Sequence, residues 1–204
     1  MPPVQEEGRD GPDAEPRPSS QPGAEAAATP GPTGQQGSDD GARDEDEGFR
    51  AMDLLTLTQN RYVWVGLEAQ RKEAAIEQLL DCLLAAGAVP GDAREELLDA
   101  IMARERRLST GLECGIAIPH GTTSRVEREV AALGVFPDGV HFEAVDNSIT
   151  RIVILLITPV RKRHRHVTNL ACIARQLLRP EIRGALLTAS SPDEAVEAMR
   201  KQGA

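Results

Sequence analysis

The chain has 204 residues, 32 acidic against 23 basic, a formal net charge of −9 and only 2% aromatic residues, enough for one domain or two small ones. No stretch reaches the roughly 18–20 uninterrupted apolar residues of a spanning helix, and the N-terminus lacks the basic start and apolar run of a signal peptide. These features exclude a helical membrane span and direct membrane insertion, and make a cytoplasmic location the expectation.

Residues 1–48 hold eight glycines and eight prolines and no aromatic residue. Such a segment cannot bury enough surface to offset its ordering entropy, so a disordered tail is expected there. It is also acidic: residues 1–50 carry twelve acids and four bases, which leaves the remainder close to neutral.

Patterned segments begin after Phe49, and a domain over residues 52–200 is expected. Tyr62-Val63-Trp64-Val65 reads as a short strand. Residues 71–86 place Ala75, Ile76, Leu79, Leu80, Leu83 and Leu84 at helical spacing, with Glu73, Glu77 and Asp81 outside and Gly87 as the stop. Asp92 is a suitable N-cap for a second helix through Arg104, with Leu97, Leu98, Ile101 and Met102 as its stripe. Residues 114–118, 130–136 and 151–158 read as three more strands. The last is apolar nearly throughout, as a central strand covered on both faces would be. Val167, Leu170, Ile173, Ala174 and Leu177 mark a helix over 166–178, broken by Pro180, and residues 181–189 follow as a short helix. Ser191-Pro192-Asp193-Glu194 is a capping box with proline at the first helical position, opening a last helix through Met199. Strands alternating with helices predict one α/β domain, its mixed and mostly buried sheet covered by helices on both faces.

The chemically informative run is Gly115-Ile116-Ala117-Ile118-Pro119-His120-Gly121. A strand ending at proline would deliver His120 to the sheet's carboxyl edge, where open α/β sheets bind ligands, and Gly121 would allow close backbone approach. On spacing alone His120 reads more readily as a loop histidine with its ring nitrogens satisfied. The basic run Arg161-Lys162-Arg163-His164-Arg165-His166 invites a nucleic-acid reading. A nearly neutral domain with few aromatic residues argues against nucleic acid as a partner. His164 and His166, with His120, could converge on a metal, but no third ligand stands at metal-type spacing, and neither metal nor cofactor is expected. His141 is expected on a solvated turn after Pro137-Asp138-Gly139. Cys82, Cys114 and Cys172 are odd in number and widely spaced, and fit buried thiols rather than a disulfide frame.

The G-I-A-I-P-H-G run resembles the active-site signature of enzyme IIA of the phosphoenolpyruvate-dependent sugar phosphotransferase system, in the mannitol/fructose class that includes nitrogen-related regulatory proteins. The resemblance also takes in Arg104-Glu105, Leu108-Ser109-Thr110-Gly111, Phe142-Glu143-Ala144-Val145-Asp146-Asn147, the 152–157 strand, His166 opening a helix, and the closing helix from Ser191. It implies a phosphotransferase component in which His120 accepts a phosphoryl group from an HPr-like phosphocarrier and passes it to a IIB domain or uses it as a signal to a regulatory target. By the same resemblance His166 is the second active-site histidine and Arg104 the phosphate-facing arginine. Phosphoryl transfer mainly needs positioning and stabilised equatorial charge, which a guanidinium fork and a neutral, hydrogen-bonding imidazole can supply. Glu113 with Cys114, and Thr122, stand where that class usually has a glycine with a small or polar residue, and a basic residue.

Overall fold

The computed structural model describes residues 53–203, so the expected tail over 1–48 lies outside the described residues. In chain order the elements are α1 (Leu54–Leu57), β1 (Val63–Trp64), α2 (Lys72–Ala85), α3 (Arg94–Arg107), β2 (Ile116–Ala117), β3 (His120–Thr123), β4 (Val130–Val140), β5 (Thr150–Pro159), α4 (Arg163–Leu177), α5 (Pro180–Thr188) and α6 (Pro192–Gly203). The strand order is β1-β4-β5-β2, and β3 lies along the same edge of β5 as β2. β4 and β5 run antiparallel, whereas β1 is parallel to β4 and β2 and β3 are parallel to β5. This is the expected mixed α/β sheet.

Side-chain alternation along β5 explains why it is apolar nearly throughout. Val153, Leu155 and Ile157 join the α2 and α3 layer with Ile76, Leu79, Leu97 and Ile101. Ile152, Ile154 and Leu156 join the opposite layer, with Leu57 of α1, Ile173 of α4, Leu186 of α5 and Met199 of α6. The strand is buried on both faces, and cutting one of these side chains to alanine typically costs about 2–5 kcal/mol.

Several boundaries differ from the sequence expectation. Asp92 sits in a 3-10 turn, Gly91–Ala93, and does not cap α3, whose N-cap is Ala93. Its carboxylate is drawn instead into a charged pair with Arg125, 2.5 Å away. α3 continues to Arg107, so Arg104 lies in its last turn, where three arginines complement the helix dipole. Cys114 and Gly115 have φ of 63° and 73°, which excludes them from a strand, so β2 begins only at Ile116. β4 runs past Phe136 through Pro137-Asp138-Gly139 with a register irregularity, and His141 is an exposed residue bridged to Arg71 rather than part of a turn. The capping box holds in its first half, Ser191 Oγ accepting from the Glu194 N–H at 3.2 Å, while the Glu194 carboxylate reaches one residue further and accepts from the Ser190 N–H. α1, only four residues long, is too short to leave a periodic signal.

Candidate active site

His120 opens a strand rather than ending one. β2 and β3 are two pieces of one edge, paired with β5 in unbroken register, from Ile116 opposite Ile152 to His120 opposite Leu156. The break falls at Ile118-Pro119. Proline has no N–H to donate, but its carbonyl accepts from the Leu156 N–H at 2.9 Å, so the edge tolerates it. Alternation then turns Gly121 toward α3, where a Cβ would stand 2.9 Å from Ile101 Cγ1. The bulky group that Gly121 admits is therefore a helix of the protein itself.

The half-buried His120 ring folds back so that Nδ1 lies 2.8 Å from the Ile118 carbonyl. A carbonyl only accepts, so Nδ1 carries the proton and the Nε2 lone pair is left for chemistry. Burial lowers the His120 pKa below its ordinary 6.5, and the Arg104 charge lowers it further, against the opposing Ile118 hydrogen bond and Glu105 charge. The ring is neutral near pH 7, as a nucleophile requires.

The His166 ring lies over this imidazole, with centroids 4.8 Å apart and planes inclined by 59°. His166 does not open its helix: α4 starts at Arg163, and the expected basic loop is a 3-10 turn, Val160–Lys162, followed by the first helical turn. Its own N–H is past the unpaired groups of the helix start, so the side chain, not the backbone, is what it brings. Nδ1 of His166 lies 2.9 Å from Thr158 Oγ1. Thr158 in turn reaches the buried Glu129 carboxylate at 3.2 Å, whose other oxygen accepts from Asn169 Nδ2 at 2.5 Å. Burial, helped by the charges of His120, Arg104 and Arg163, holds His166 at about 4. Burial pushes Glu129 up, against the pull of Thr158, Lys162, Arg165 and Asn169.

Arg104 comes from the last turn of α3 and is anchored by Nη1 donating to the Leu108 carbonyl at 2.8 Å. That carbonyl is placed by Glu105, which is 1% exposed and accepts from the Thr110 N–H and hydroxyl and from Ser109 Oγ. Lys72 stands 3.6 Å from the same carboxylate. His120, His166, Arg104, Arg107, Gly121, Thr122, Arg163 and Val167 line one open cavity of about 440 Å³. Its charge is positive, as an anionic group would require.

The three residues singled out from the sequence therefore meet at one place, although 16 and 46 positions separate Arg104 and His166 from His120. Glu113, His164 and His141 are exposed and do not line the cavity. Cys114 is exposed rather than buried, while Cys82 and Cys172 are partly buried. Among the described residues, no group of three or more His, Cys, Asp or Glu side chains is arranged to hold a metal ion, and no helix is long and apolar enough to cross a membrane. Sequence reading missed Glu129, Thr158 and Asn169. The available signal was polarity in apolar places: Asn169 falls on the buried stripe of α4, and Glu129 abuts the apolar strand β4.

A mixed-sheet α/β domain with two facing histidines and an arginine at its edge is the class of protein these features define. The chain belongs to the family described as phosphoenolpyruvate-dependent sugar phosphotransferase system, EIIA 2, whose model matches residues 56–202. Members of this family generally relay phosphate through a histidine. The chain is similar to the PTS system fructose-specific EIIA component of Haloferax volcanii, 32% identical over 139 residues, covering 68% of this chain and 89% of that one. Its fold resembles nitrogen regulatory protein IIA-Ntr from Neisseria meningitidis, with a TM-score of 0.61 at 25% identity, over 68% of this chain and 92% of that one. It likewise resembles the Escherichia coli IIA mannitol enzyme in complex with phosphorylated IIB mannitol, with a TM-score of 0.57 at 26% identity, over 69% and 94%.

Proposed function

We propose that the chain is a phosphoryl carrier in which His120 Nε2 accepts a phosphoryl group from a phosphorylated HPr-like carrier. It passes the group to a IIB domain, or presents it as a signal to a regulatory target. The observation that carries this reading is the Nδ1 bond of His120 to the Ile118 carbonyl, which leaves Nε2 as the nucleophile in a cavity edged by Arg104 and His166. The lone pair attacks phosphorus as the donor's P–N bond breaks. Since Nδ1 keeps its proton, His120 exchanges no proton in the transfer itself. Arg104 offers a planar donor fork to the equatorial oxygens, and the near arginines Arg107 and Arg163 add positive potential.

A protein donor suits the surroundings. Val167 on the cavity wall is 72% exposed, and Leu108, whose carbonyl holds Arg104, is 71% exposed. An open, cation-rimmed cavity between exposed apolar side chains fits a partner surface better than it fits an enclosed small molecule. The test is incubation with phosphoenolpyruvate, enzyme I and HPr, followed by intact mass. One acid-labile phosphoryl group is expected, absent from His120→Ala; undiminished labelling of that variant would overturn the assignment.

A further inference from the structure

We propose that Glu129, acting through the Thr158 hydroxyl, sets the tautomer of His166 and holds the proton that His166 takes up when His120 is phosphorylated. The proposal rests on the carrier reading above and adds to it a positioning residue about which the I-P-H-G resemblance says nothing.

The argument starts from one hydroxyl between two partners. Thr158 Oγ1 lies 3.2 Å from Glu129 Oε1 and 2.9 Å from His166 Nδ1, and it has a single proton to give. Two arrangements satisfy the chain. With Glu129 ionised, Thr158 donates to the carboxylate and accepts from Nδ1–H, so His166 Nε2 presents a lone pair. With Glu129 protonated, the acid donates to Thr158, Thr158 donates to Nδ1, and the proton of the neutral ring is on Nε2. Only the second turns a donor toward the cavity. Among the described residues Nε2 of His166 has no hydrogen-bond partner, so in the open cavity it is free to meet solvent or a ligand.

A phosphoryl dianion on His120 demands a donor there, and repels a lone pair. The proton balance is simple. One proton from solvent adds at His166 Nε2, the Nδ1 proton moves to Thr158, and the Thr158 proton moves to Glu129. The imidazole ends neutral, as an Nε2–H donor, and the net gain is carried by the carboxyl group.

The surroundings favour this placement over an imidazolium. His166 faces His120 from β3, Arg104 from α3 and Arg163 from its own helix, all of which disfavour a second positive charge. Glu129, 4% exposed, faces Thr158 from β5, Asn169 and Arg165 from α4, and Lys162 from the turn before it. Burial there favours the uncharged acid even against those two cations. Asn169 Nδ2 fixes the second carboxylate oxygen as an acceptor, so Oε1 is the position where the proton comes and goes.

Glu129→Gln makes the opposite states separable. Asn169 holds the amide oxygen, the amide NH₂ donates to Thr158, and Thr158 must then donate to His166 Nδ1. In the full chain, ¹⁵N-labelled at histidine, the wild type is expected to pass from Nδ1–H to Nε2–H as pH falls through the Glu129 titration, without a doubly protonated ring. Glu129→Gln is expected to show Nε2–H at every pH above the His166 titration at about 4. Thr158→Val, nearly the same in volume, is expected to cut the His166 tautomer loose from Glu129. Phosphorylation in weak buffer should take up about one proton more in the wild type than in Glu129→Gln wherever Glu129 starts ionised.

An Nδ1–H ring in Glu129→Gln, or a wild-type ring that becomes imidazolium beside an ionised Glu129, would overturn the proposal. If Glu129→Gln does not fold, Thr158→Val decides: a tautomer that still follows the carboxyl group would sink the coupling through the hydroxyl. Coupling seen in a chain whose His120 takes no phosphoryl group would instead overturn the carrier reading alone, because tautomers are read without phosphorylation.

Discussion

Gly121 and Ile101 approach so closely that a side chain on the glycine would stand 2.9 Å from Ile101 Cγ1 and 3.4 Å from its backbone nitrogen. The contact seats α3 on β3, and so fixes the distance from Arg104, one turn further along that helix, to His120 on the neighbouring strand position.

Gly121→Ala is accordingly expected to destabilise the domain by about 1–3 kcal/mol through overpacking. Ile101→Ala removes Cγ1 but leaves the backbone nitrogen in place, so Gly121→Ala should cost less in that background without becoming free. Denaturant melts of the two single variants and the double variant measure the coupling; strict additivity would show that the two sites do not press on each other.

Arg104→Ala should slow phosphoryl acceptance by about 10²–10³-fold, the usual scale for losing one well-aimed electrostatic donor. Arg104→Lys keeps the charge but not the planar fork, and an intermediate rate is expected. Single-turnover rates with a phosphorylated carrier are the measurement, with thermal melts to establish that the fold is intact.

Glu105→Ala leaves the Thr110 N–H and hydroxyl without their buried acceptor, a loss of about 1–3 kcal/mol. The same change frees the turn that carries the Leu108 carbonyl, so the phosphoryl-acceptance rate should fall along with stability. A variant that melts early yet accepts phosphoryl groups at the full rate would show that Arg104 needs no such support.

The pH dependence of stability has a definite sign. His166 is held at about 4 against an ordinary 6.5, so between those values the unfolded chain binds the proton and the folded chain does not. The neutral ring therefore costs the folded state nothing above about 6.5, and stability falls as pH drops toward 4. Glu129, pushed up, works in the other direction: the folded state holds its proton more tightly, and that contribution is lost as pH rises through its titration. His166→Gln should flatten the acid limb of a Tm against pH curve, and Glu129→Gln should gain stability relative to wild type as pH rises.

The basic run divides into two parts. Arg161 is exposed, with its guanidinium on the Glu127 carbonyl, and Lys162 is part-exposed, whereas Arg163 lines the histidine cavity. Neutralising Arg161 and Lys162 is expected to lower the second-order rate with a charged carrier, with the deficit shrinking at high salt. Neutralising Arg163 should leave a deficit that salt does not erase. Equal salt sensitivity of the two variants would place Arg163 in docking as well.

The main run of strands and helices after α1, the central place of β5, the start of α6 and the place of His120 on the sheet edge were legible in the sequence, because each rests on local physics. A period of 3.6 or 2, a capping box and a proline-terminated apolar run need only near neighbours to be recognised. What folding alone decided are the pairings between distant segments. Asp92 gave up its capping role to Arg125, 33 residues on, because a charged partner outcompetes a backbone N–H. Pro119 interrupts an edge without ending it, because β5 holds the register on both sides of the break. Glu129, Thr158 and Asn169 carry no shared motif, and only the packing of α4 on the sheet joins them beneath His166. Burial supplies the remaining term: the same imidazole that would titrate near 6.5 in water is held neutral well below that value by the walls and the arginines around it.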